Sequence, residues 1–105
     1  MDNLSKKLFL IPAFVIFLGA SPTMAACQKG PFQMSLPAER MGTRLQNLAH
    51  LTGCAVDVDD AIIAGKRTKA LNDSFTSFAA FRRSLKGTAL KVVRDQGHFR
   101  IYRPQ

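Results

Sequence analysis

The chain opens with two lysines, Lys6 and Lys7, and then runs for thirteen residues without a charge, LFLIPAFVIFLGA at 8–20, before a set of small residues. This is the order of a secretory signal peptide: a basic start, an apolar run, a small-residue exit. The run is short for a membrane span. Thr23 and Ala25 supply the two small positions for cleavage after Ala25, so residues 1–25 are expected to be the signal peptide. CQKGP, residues 27–31, is punctuated by Gly30 and Pro31; residues 26–31 are therefore expected to be an irregular lead-in.

Beyond it the period alternates between two and three-to-four. FQMSL, 32–36, sets Phe32, Met34 and Leu36 on one side, as a half-buried strand would. A helix is expected just after Pro37. Its apolar stripe is Ala38, Met41, Leu45, Leu48, Ala49 and Thr52, with Glu39, Arg40, Arg44, Gln46, Asn47 and His50 mostly outside it and Gly53 as the stop. CAVDVD, 54–59, alternates again, so strand, helix and strand suggest a βαβ unit. A basic strand is expected near Thr68–Leu71. Asp73 or Ser74 is expected to cap a second helix carrying Phe78, Ala79, Phe81 and Leu85, which Gly87 ends. LKVVRDQGHFRIYR, 90–103, reads as a hairpin turning at Asp95-Gln96-Gly97, with Leu90 and Val92 matched by Phe99 and Ile101. The sum is α+β: two helices and four to five short strands in one domain, 32–103.

Composition adds a compartment and a charge. Without Lys6, Lys7 and Asp2 the chain keeps 13 Lys/Arg against 6 Asp/Glu. The cations are spread along it as Lys66-Arg67-Lys69, Arg82-Arg83-Lys86, Lys91-Arg94 and Arg100-Arg103. Such a balance suits nucleic acid, an anionic membrane face or an acidic partner, or simply solubility.

Catalytic chemistry finds little support. His50 falls on the polar side of a helix and His98 in a hairpin, and no serine stands in a nucleophile elbow. Asp57, Asp59 and Asp60 lack the glycine and distal glutamate of a calcium loop. There is no phosphate-binding glycine loop and no Cys-x-x-Cys. The chain is expected not to be an enzyme and to hold no metal or cofactor. Phe99, Arg100, Tyr102 and Arg103 mix aromatic and basic character as single-strand binders do, but the alternation commits Phe99 to the core.

The motifs in order resemble the secretin and TonB N-terminal short domain. LPAERMGTRLQNLAHLTG, 36–53, is similar to the family's strand, Pro-Ala step and helix ending in Thr-Gly. AVDVDDAIIAGKRTKAL, 55–71, is similar to its acidic-ended strand and Ala-Gly-Lys-Arg loop. FTSFAAFRRSLKGTAL, 75–90, is similar to its second helix and stop. Ser74, Ala89 and Phe81 depart from the family pattern. The resemblance implies two helices sandwiched between two small sheets, here as a stand-alone copy of a module that elsewhere continues into a barrel or pore.

It also implies a docking role without catalysis, in the periplasm or at the periplasmic face of a Gram-negative outer membrane. The implied partners are an anti-sigma regulator, a TonB-dependent receptor or secretin subunits. Exposed sheet edges and charged faces are the expected binding mode, placed on Lys66, Arg67, Lys69, Arg100, Tyr102 and Arg103. The alternatives are an accessory component of a secretin or other secretion or conjugation channel, and a basic nucleic-acid-binding protein.

Cys27 remains open at this level. Met24-Ala25-Ala26-Cys27 approximates a lipobox, which would attach a lipid to Cys27 and associate the protein with the outer membrane. An exported chain with two cysteines is more simply read as one Cys27–Cys54 bridge. Strands 32–36 and 54–58, if parallel neighbours, would bring the two cysteines to the same end. These two fates exclude each other, and the third leaves both cysteines as free thiols.

Overall fold

The computed structural model describes residues 27–105; the expected signal peptide lies outside the described residues. The elements are β1 (Phe32–Leu36), α1 (Met41–Thr52), β2 (Val56–Asp57), α2 (Asp60–Ile63), β3 (Leu71–Phe75), α3 (Ser77–Ser84), β4 (Lys91–Asp95) and β5 (His98–Tyr102). β1 and β3 form an antiparallel pair; β2, β5 and β4 form a second sheet in that order. α1 packs on α3, and α3 touches β3 of one sheet and β4 of the other. The fold is α+β, with its helices between two small sheets.

The strand periods hold. Met34, Leu71, Phe99 and Ile101 are buried, while Gln33, Ser35, Asn72 and Arg100 are exposed. The hairpin turns on Gln96 (φ 50°) and Gly97 (φ 86°) alone, and Asp95, expected in the turn, ends β4 opposite His98. Two successive left-handed residues make the tight turn that matches strand twist. Leu90 is buried and Val92 half-buried, and Val92 stands opposite Ile101.

The expected βαβ unit does not form. β1 pairs with β3, whereas β2 runs parallel to β5 through Val56–Phe99 and Asp57–Arg100. The strands that flank α1 therefore belong to different sheets. Both have the alternation a sheet needs, and alternation alone does not choose a neighbour.

Three local boundaries move as well. α1 starts at Met41, leaving Ala38 exposed and ahead of it. Residues 39–41 are held extended against 66–68: the Thr68 N–H donates to the Glu39 carbonyl (2.8 Å), and the Met41 N–H donates to the Lys66 carbonyl (2.9 Å). A distant backbone thus satisfies a first-turn donor that a side-chain cap would otherwise serve. Residues 66–70 form no regular strand, only an isolated bridge between Arg67 and Arg40. Asp73 and Ser74 lie inside β3, and Thr76 caps α3, its hydroxyl accepting from the Ala79 N–H at 3.2 Å.

The largest departure concerns Arg44, which the periodicity places on the polar side of α1. It is fully buried. Its Nε donates to Glu39 Oε2 (2.8 Å), Nη1 to Ser84 Oγ (3.2 Å), and Nη2 to the carbonyls of Pro37 (2.6 Å) and Lys69 (2.8 Å). Asn47 donates to the other Glu39 oxygen at 3.1 Å.

Candidate functional site

Cys27 and Cys54 are joined, with a Cα–Cα distance of 4.1 Å. The approach is not made by parallel strands. The Gln28 N–H donates to the Thr52 carbonyl (2.9 Å) and the Ser77 N–H to the Lys29 carbonyl (3.0 Å). The lead-in thus ties the end of α1 to the start of α3, and this strap delivers Cys27 to Cys54. A bridged Cys27 has no thiol for a lipid.

The six basic and aromatic positions expected at a partner surface divide into two groups. Lys66, Arg67 and Lys69 sit on the segment that pairs with residues 39–41, and Lys69 is held there by its carbonyl bond to Arg44. Arg67 and Lys69 are exposed and Lys66 is half-buried. A cavity of about 440 Å³ beside them is lined by Arg40, Lys66 and Arg67, but also by Asp60.

Arg100 and Tyr102 point outward from β5, and Arg103 follows the strand. Arg100 is engaged: its Nε lies 3.5 Å from Asp95 Oδ2, and its guanidinium stands 5.4 Å from the Tyr102 ring centre. β5 is the central strand of its sheet, not an edge as expected. The free edges of that sheet are β2 and β4. Among the described residues no hydrogen bond or ion pair joins the 66–69 group to the 100–103 group.

The structure assembles a different basic site. A cleft of about 650 Å³ opens between α3 and β4. Arg82, Arg83, Lys86 and Lys91 surround it, with no carboxylate in its lining, and Phe75, Ala79, Leu85, Leu90 and Val92 supply apolar wall. Local structure explains the convergence. Ala79, Arg82, Arg83 and Lys86 follow the spacing i, i+3, i+4, i+7, one face of a helix and the turn after it. The opposite face buries Ser77, Ala80, Phe81 and Ser84, so the cations must face out. The hairpin then returns Lys91 to the same opening.

Aromatic rings hold two of these cations. The Arg83 guanidinium lies 5.4 Å from the Phe75 ring centre, and that of Arg82 lies 5.8 Å from Phe78. Arg94 lies over Phe78 as well, at 4.4 Å. Phe78 in turn packs on Phe99, with ring centres 5.7 Å apart. The signal was present in the sequence as the spacing of Arg82, Arg83 and Lys86; Ala79, expected in the apolar stripe, lies on their face, the buried face being Ser77, Ala80, Phe81 and Ser84, and only packing brings Lys91 and Phe75 to the same opening.

The remaining acidic and histidine side chains discussed above do not converge on one site. Asp59 spends its carboxylate on capping α2, accepting from the Ala61 N–H at 3.0 Å. Among the described residues no three potential ligands gather as a metal set. His98 lies 4.0 Å from Asp95, and His50 is exposed at the end of α1. Among the described residues no helix is long and apolar enough to cross a membrane.

No family model and no curated protein sequence matches the chain. Solved structures do. The ferripyoverdine receptor of the outer membrane of Pseudomonas aeruginosa, bound to ferripyoverdine, is similar over 70% of this chain at TM-score 0.65 and 19% identity. The P. aeruginosa receptor FpvA bound to a heterologous pyoverdine matches 67% of the chain at TM-score 0.63 and 20% identity. A complex of FpvAI with pyocin S2 matches 70% at TM-score 0.64 and 19% identity. This chain spans about a tenth of the length of those receptor chains, with 10%, 9% and 10% covered. At such identity the likeness shows a shared fold.

Proposed function

We propose that this chain is an exported docking module of a Gram-negative cell envelope, which acts by contact with another envelope protein and catalyses nothing. The observation that carries the reading is the fold likeness to one segment of an outer-membrane receptor, at TM-score 0.65. The signal-peptide pattern of residues 1–25 supports export, and two cysteines bonded to each other suit an oxidising compartment. Receptor-associated signalling is the finer form of the proposal, with an anti-sigma regulator or a TonB-dependent receptor as partner. The motif resemblance to the secretin and TonB short domain points the same way. Two short sheets with free edges and a cationic surface are the means of contact.

The test is cross-linking of the tagged protein in the periplasm of its own host, followed by affinity capture and mass spectrometry. Recovery of an anti-sigma regulator or a TonB-dependent receptor is the expected outcome. Recovery of secretin or other channel subunits in their place would move the protein to a secretion machine, and recovery of single-stranded nucleic acid alone would remove the docking role.

A further inference from the structure

The cleft between α3 and β4 carries more information than general basicity. Its four cations converge on an apolar floor, and its lining holds no negative charge. By contrast, the cavity beside Lys66 and Arg67 includes Asp60, and Arg100 already faces Asp95. We propose that the α3–β4 cleft binds an acidic, extended segment of a partner protein. Its carboxylates would meet Arg82, Arg83, Lys86 and Lys91, and its apolar side chains would rest on Phe75, Leu90 and Val92. The proposal deepens the docking role given above and rests on it.

Three features select this occupant. Charge complementarity calls for an anion, and guanidinium groups favour carboxylates through paired N–H donors. The Phe75 and Phe78 rings fix Arg83 and Arg82 before binding, which lowers the ordering cost of each contact. Third, β4 is an edge strand. A two-residue turn makes Asp95–His98 a hydrogen-bonded pair, so by the antiparallel alternation Val92 and Arg94 turn their backbone N–H and C=O away from β5. A free anion or a lipid headgroup has no use for a strand edge; a polypeptide has.

The experiment is an amide-shift titration of the ¹⁵N-labelled, oxidised protein with an acetylated eight-residue peptide of alternating Glu and Val. The same peptide with Gln for Glu serves as control. Saturable shifts at Arg82, Arg83, Lys86, Lys91 and Val92 are expected. Affinity should fall at least tenfold for the Gln peptide, for the R83E/K91E double variant, and on raising salt from about 50 to about 300 mM. The milder R83Q/K91Q variant should weaken binding while keeping native amide dispersion, which separates lost contacts from lost fold.

Shifts centred on Arg100 and Arg103, or shifts that never saturate, would overturn the proposal. So would sedimentation with phosphatidylglycerol vesicles through the same four cations when the peptide does not bind. Host capture separates the two levels. A folded R83E/K91E protein that still recovers its envelope partner overturns the cleft and leaves the docking role standing. Loss of that capture with the fold intact supports both.

Discussion

Arg44 ties α1 to three neighbouring pieces of chain: the 37–39 segment, Lys69 and α3. Its guanidinium reaches the Pro37 carbonyl, the Glu39 carboxylate, the Lys69 carbonyl and Ser84 of α3. A buried charge is tolerable only when paired and fully hydrogen-bonded. Here the side chain is 0% exposed and Glu39 only 12%. Arg44→Ala would leave Glu39 with only Asn47 as donor and would strip the Pro37 and Lys69 carbonyls of the guanidinium. The expected cost is about 3–5 kcal/mol in urea unfolding, the range for breaking a buried pair from one side. Arg44→Lys keeps the charge and loses the planar fork, so about 1–3 kcal/mol is expected. An Arg44→Ala protein as stable as the wild type would show that the network contributes nothing net.

The hairpin is the element whose sequence and geometry agree most closely, and its turn is where a small improvement remains. Gln96 holds φ 50° and Gly97 φ 86°. Asparagine tolerates the left-handed region better than glutamine, and Asn-Gly is the preferred pair for this turn. Gln96→Asn should stabilise the protein by about 0.5 kcal/mol or more. Gly97→Val should destabilise it by about 1–3 kcal/mol, because a β-branched residue pays for positive φ in strain. The two changes are read as opposite shifts of the urea midpoint at constant slope. α3 shows a different economy in its eight residues: one face is core, the other presents Arg82 and Arg83, and both cations also suit the negative end of the helix dipole.

For the whole molecule, the strap from Cys27 to Pro31 decides how the two helices are held. It bonds to Thr52 at one end of α1 and to Ser77 at the beginning of α3, and the Cys27–Cys54 bridge closes it covalently. With the two cysteines 27 positions apart in sequence, the bridge is worth roughly 3–4 kcal/mol in the chain-entropy model. For a domain this small that is a large share of the total. Reduction should lower the urea midpoint accordingly, and the C27S/C54S variant should match the reduced protein. Intact mass of the protein from its host gives an independent check. The expected mass is two hydrogens short of the dithiol, and a diacylglyceryl increment on Cys27 would exclude the bridge.

The sequence by itself determined the α+β class, the alternation of β1, the hairpin with Gln96 and Gly97 at its turn, Met41, Leu45, Leu48 and Thr52 as the apolar stripe of α1, and the Cys27–Cys54 bridge as one of the fates open to the two cysteines. These are local or parity properties: each is set by periods of two or 3.6 and by residues that tolerate special dihedrals. Three things it left undecided. Arg44 read as a polar-face residue because helical period cannot see the Lys69 carbonyl or Ser84 that satisfy it. β1 and β2 read as neighbours because alternation names a buried face and no partner. The candidate cleft was divided in the sequence between a helix face, Arg82-Arg83-Lys86, and a strand residue, Lys91. Only tertiary structure brought them to one opening over Phe75, because the distance between charges across a hairpin and a helix depends on how the elements pack.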